Sequence, residues 1–140
     1  MRPPHLLPAL LAPLLLAGCV DSSATYYIDG NQHALTVRAT QDYFWSKEIT
    51  LALLASRMPD CQRRIPLAEL PIADVEVELF ASSENIYTLR AGELSWRVEL
   101  DGCSEMEAPE QVTGRPLGLF HLDENKKMIF EKAEPETAPK

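Results

Sequence analysis

The chain has little of what most enzymes use: 140 residues contain three histidines, three cysteines and six glycines. It has no Gly-x-Ser-x-Gly elbow, no His-Glu-x-x-His helix and no glycine loop of the kind that cradles phosphate. Basic residues are also scarce, 13 Lys+Arg against 21 Asp+Glu, for a formal net charge of −8. That sign argues against nucleic acid as a partner. Three cysteines are too few for a disulfide-dense miniprotein, and 46% hydrophobic residues are too many for a disordered chain. The longest apolar run, Leu6 to Ala17, has twelve residues and carries Pro8 and Pro13. A helix needs about 20 residues to cross a bilayer, so a permanent transmembrane anchor is not expected. What is left is the profile of one globular domain behind a short apolar leader.

The leader reads as an export signal: a cation at Arg2, the apolar run, then the small residues Ala17 and Gly18. It ends in Leu16-Ala17-Gly18-Cys19, which resembles the lipobox of bacterial lipoproteins at all four positions. The resemblance implies a signal peptide over residues 1–18, cleaved between Gly18 and Cys19, a diacylglyceryl group on the Cys19 sulfur, and acylation of the new amino terminus. Two or three acyl chains, at about 0.8 kcal/mol per buried methylene, hold a domain stably on a membrane. In such proteins the residue after the cysteine influences sorting. Val20 favours the outer membrane facing the periplasm, while Asp21 keeps the inner membrane open. Processing would leave 122 residues with 12 Lys+Arg against 21 Asp+Glu, a net −9, so attachment should rest on the acyl chains rather than on charge.

With Cys19 assigned to lipid, Cys61 and Cys103 form an even pair in a chain bound for an oxidising compartment, and a disulfide between them is expected. The alternative is two buried thiols, or a metal pair lacking its other ligands.

Residues 19–24 read as a polar lipidated tether, 25–131 as a single β-rich domain and 132–140 as a disordered tail. Within the domain the dominant period is two. Val75, Val77 and Leu79 alternate with Glu76 and Glu78, and Leu94, Trp96, Val98 and Leu100 alternate with Ser95, Arg97 and Glu99. With Ile86 to Arg90 between them, these runs predict a three-stranded meander. Asp29-Gly30-Asn31-Gln32 predicts a hairpin between Tyr26–Ile28 and Ala34–Arg38, and Asp123 to Lys126 predicts another between Leu117–Leu122 and Lys127–Phe130. Glu48 to Ser56 reads as strand, with a short helix as the alternative. Met58 to Asp74, with Pro59, Pro66 and Pro71, reads as a loop held by the disulfide. The expected fold is all-β, a small antiparallel sandwich or barrel of about eight strands.

No catalytic residue, cofactor or metal site is expected. His121 lies in a strand run, and the series Asp29, Asn31, His33 lacks the later glycine and glutamate of a calcium loop. Glu76 and Glu78 read as a solvated face opposite Arg97. Two features suit partner binding better. Tyr43-Phe44-Trp45 cannot all point to one side of an extended chain, and exposed aromatics anchor interfaces; the alternative is a loop that caps the core. Arg63-Arg64, beside Cys61, could grip a carboxylate of a partner or of cell-wall peptide, unless nearby acids neutralise it. The expected role is a non-catalytic module that binds an envelope protein or glycan. The plan is also similar to that of the lipidated lysozyme inhibitors, which are small exported β-barrels with disulfides. That resemblance is one of architecture alone, and it implies a cationic target. A hydrolase using carboxylates is the third reading.

Overall fold

Alternating apolar residues leave one face of an extended chain ready for burial, and nearly every such run in this protein is a strand. The computed structural model describes residues 19–134; the expected signal peptide, Gly18 and residues 135–140 of the expected tail lie outside the described residues. In chain order the elements are β1 (Asp21–Asp29), β2 (His33–Thr40), β3 (Glu48–Arg57), β4 (Cys61–Pro71), one 3₁₀ turn (Ile72–Asp74), β5 (Glu76–Ser83), β6 (Ile86–Ala91), β7 (Leu94–Glu99), β8 (Ser104–Met106), β9 (Arg115–Leu122) and β10 (Met128–Lys132). They form two antiparallel sheets, β1-β2-β3-β4 and β10-β9-β5-β6-β7-β8. The fold is an all-β sandwich of ten strands that does not close into a barrel.

The inner faces supply the core. Leu35, Val37 and Ala39 of β2 and Ile49, Leu51, Leu53 and Ala55 of β3 meet Val77, Leu79, Leu89, Val98 and Phe120 of the larger sheet. Both open sides between the sheets are stitched. On one side the Met128 N–H donates to Ser22 Oγ at 3.0 Å, and on the other the Cys61–Cys103 disulfide joins β4 to the turn before β8, with the Cα atoms 5.9 Å apart. The connection from β8 to β9 crosses the outside of the larger sheet. Ser82 Oγ donates there to the Thr113 carbonyl, and Gly114, at φ +117°, lies so near the Ala81 carbonyl that a Cβ would overlap it.

The predicted meander is β5-β6-β7, and the two predicted hairpins are β1-β2 and β9-β10. Glu48 to Ser56 is strand throughout, as read from the sequence, with no helix. Three expectations are corrected. The expected loop at 58–74 holds β4, an eleven-residue edge strand; its Pro66 sits opposite Ala52 beside an irregularity in the β3-β4 register, where an edge strand tolerates a missing donor. The expected tether is the start of β1, paired from Asp21↔Thr40 onward. Lys132, the first residue of the expected tail, is the last residue of β10.

Candidate functional site

The strand registers give the sandwich two distinct ends. One gathers Cys19, the β2-β3 loop, Pro71, the β6-β7 turn and the β9-β10 turn; the other gathers the β1-β2 turn, the β3-β4 turn and the disulfide.

At the first end, Val20 is buried and both its backbone groups are held by one residue. Its N–H donates to Gln41 Oε1 at 3.1 Å, and its carbonyl accepts from the Gln41 N–H at 2.8 Å. The same Gln41 amide donates through Nε2 to the Ser46 carbonyl, closing the loop that carries Tyr43, Phe44 and Trp45. The Lys47 carbonyl accepts from Ile72 N–H. Tyr43, Phe44 and Trp45 are 57%, 65% and 66% exposed. They pack on one another instead of on the core: Tyr43 stacks on Trp45 at 5.0 Å and Phe44 meets Trp45 edge-on at 4.7 Å. The loop does not cap the sheets. Cys19 is exposed, one residue from the clamped Val20.

The Arg63-Arg64 doublet is divided by its strand. Arg63 is opposite Ala55 and Arg64 opposite Leu54, so the two side chains leave β4 on opposite faces. Both are exposed, and among the described residues neither has a carboxylate within 4.0 Å. Arg64 lines a shallow groove of about 430 Å³ on the outer face of the smaller sheet, with Ser23, Thr36, Arg38, Ala52 and Leu54. Arg38 stands at its rim in a bidentate pair with Asp21, at 2.9 and 3.2 Å. The groove can present two guanidinium groups, one of them uncommitted, to a planar carboxylate. Sequence reading missed Thr36, Arg38 and Leu54, although period two already places Thr36 and Arg38 on one face of β2. The groove and the aromatic loop are separate. Leu54, opposite Arg64, is six residues along β3 from Glu48, or about 20 Å at strand rise.

Several other titratable groups are engaged in structure, while His33 Nε2 and Arg97 Nε are buried without a hydrogen-bond partner among the described residues. Glu78 pairs with Arg90 at 2.6 Å, not with Arg97, which is opposite Thr88 and Met106. His121 Nε2 lies 3.1 Å from Glu131. Glu99 accepts from the backbone N–H groups of Asp101, Gly102 and Ser104; the Gly102 bond foremost holds its carboxyl below the ordinary range. Asp29, Asn31 and His33 form the β1-β2 turn, and among the described residues no group of three or more His, Cys, Asp or Glu is placed to hold a metal. No helix among them is long and apolar enough to cross a membrane. No protein-family model, curated protein or solved structure matches this chain.

Proposed function

We propose that this protein is a lipid-anchored lipoprotein of the bacterial cell envelope, on the outer membrane facing the periplasm. In this reading it is a non-catalytic module that binds a carboxylate-bearing envelope protein or cell-wall peptide on the outer face of β1–β4. The observation that carries the reading is the tetrapeptide Leu16-Ala17-Gly18-Cys19 set directly before Val20, the first buried residue of the fold. Cys19 is exposed and stands apart from the disulfide, as an acylated cysteine must. The bridge itself suits an oxidising compartment. For the partner surface, support comes from the unpaired Arg64 beside Arg38 in a groove floored by Ala52 and Leu54. Charge on an edge strand also discourages a further strand from adding to the sheet, so the test must separate binding from aggregation.

Mass spectrometry of the membrane-extracted full chain is expected to show cleavage before Cys19 and an acyl addition that Cys19→Ser abolishes. An unmodified Cys19 would sink the anchor. Envelope protein or peptidoglycan fragments captured by the full chain should be lost in the Arg38→Ala/Arg64→Ala variant while that variant stays monomeric. Undiminished capture would remove the groove from the reading.

A second reading, inhibition of a cationic enzyme such as lysozyme, draws on another groove of about 790 Å³. Asp74, Glu76, Glu78 and Glu93 line it against the single cation Arg90. Unaltered lysis by lysozyme in the presence of the protein would dispose of it.

A further inference from the structure

We propose that the Tyr43-Phe44-Trp45 loop is a second membrane contact, its rings seated at the headgroup level of the bilayer that holds the acylated Cys19. The inference rests on the lipoprotein reading and adds the loop's ligand, a lipid surface. Three observations carry it. First, the rings are exposed and packed on each other, which makes them a contiguous exposed aromatic cluster. Tyr and Trp, with an apolar body and a polar tip, are the side chains that settle at membrane–water interfaces. Second, the loop and the lipid attachment point share one clamp. Gln41 binds both backbone groups of Val20 and closes the loop at Ser46, so Cys19 has no slack: its Cα is one peptide link, about 3.8 Å, from that of Val20. From Gln41 to Trp45 is four residues, at most about 14 Å of extended chain. The rings are therefore held at the same end of the sandwich as the lipid attachment point. Third, charge cannot supply this contact. Asp42 and Glu48 flank the loop against Lys47, and although Lys126 and Lys127 line the crevice beside Cys19, Asp123 and Glu124 are in the same turn. The rings themselves must recognise the surface, so zwitterionic lipid suffices.

The test uses the full-length processed protein reconstituted into phosphatidylcholine vesicles, some made with lipid brominated near the top of the acyl chain. The chain has two tryptophans, Trp45 on the loop and Trp96 packed against the core. Brominated lipid should quench the wild-type emission and leave Trp45→Phe, with only Trp96, unquenched, because an interfacial ring sits at the headgroup–acyl boundary where the bromine lies. Because Trp45 is exposed, its replacement does not threaten the fold. Quenching should persist in about 0.5 M salt, where exposed charges are screened; its loss there would assign the contact to charge and overturn the proposal. Trp45 emission indifferent to bromine but still quenched by aqueous iodide would also overturn it and return the loop to a protein partner. The mass of the same sample separates the two failures. An acylated Cys19 with an unquenched Trp45 overturns this inference alone, and a Cys19 without acyl mass overturns the lipoprotein reading and this inference with it.

Discussion

At the disulfide end of the sandwich, polar turns are tied by a covalent bond, one ion pair and a set of hydrogen bonds to two carboxylates. Asp101 accepts from Arg57 at 2.8 Å and from Asn85 at 3.1 Å, Glu99 collects three backbone N–H groups, and Cys61–Cys103 locks the β3-β4 turn to the far sheet. At the Cys19 end, a single neutral side chain, Gln41, organises the entry of the chain and a loop whose large rings face outward. The contrast shows where fold and function part company. One end binds most of its carboxylates internally, with His33 Nε2 its one buried unpartnered side-chain atom among the described residues. The other leaves apolar surface uncovered and has just enough internal bonding to hold it in place.

The largest effect should come from opening the tied end. The disulfide spans 42 residues of sequence, and closing a loop of that length is worth about 4 kcal/mol in the chain-entropy description. Cys61→Ser/Cys103→Ser should lower the urea midpoint by a corresponding amount. A loss below about 1 kcal/mol would mean that Glu99 and Asp101 close that end unaided. The next effect lies at the other end. Gln41→Leu leaves the part-buried Val20 N–H without its acceptor and the Ser46 carbonyl without its donor, at a cost of about 2 kcal/mol. Amide exchange should accelerate at Val20 and around the loop and stay unchanged at Leu100 and Asp101. Uniform acceleration would show that the two ends are not separate units.

This contrast was only half legible in the sequence. The meander could be read because Val75, Val77, Leu79, Val98 and Leu100 are buried by one face of a sheet while their neighbours are not, which is what alternation encodes. β3 was harder, since Ala52 is buried on the outer face as well and blurs the period toward a continuous apolar run. β1 and β4 are edge strands. Asp21-Ser22-Ser23 pairs through its backbone and the Asp21–Arg38 ion pair and needs no apolar side chain, and β4 carries prolines and arginines where only one side of the strand is bonded. The same error hid the division of Arg63 from Arg64, because consecutive residues diverge on a strand but not in a loop. The aromatic triplet declared itself by composition. Its exposure was decided by a glutamine whose partners lie 21 residues back and five residues ahead, a relation that no local pattern carries.

Acid should act on the tied end through Glu99. Its carboxyl, bonded first by Gly102 N–H and then by Ser104 and Asp101, titrates below its ordinary value of 4.5. A carboxyl lowered in the folded state adds stability that is complete above the unfolded value and is lost as pH falls through the folded one. Glu99→Gln should therefore be less stable at neutral pH by about 1 kcal/mol, a modest figure because the group is near solvent. The gap between variant and wild type should close as the pH is taken below 4.5. A constant gap across that range would assign the loss to geometry rather than to charge.

The smallest stability effect is the most informative for function. Tyr43→Ser/Phe44→Ser/Trp45→Ser removes three of the largest side chains in the domain, and if they capped the core, each loss would cost several kcal/mol, about 3 to 5 for a buried ring. They rest on each other in solvent, so the triple variant should unfold within about 0.5 kcal/mol of the wild type. A substantial loss would make the loop a lid on the sandwich and leave it little apolar surface to offer. An unchanged midpoint means that the fold gains nothing from three exposed rings, and that they must be held for something outside it.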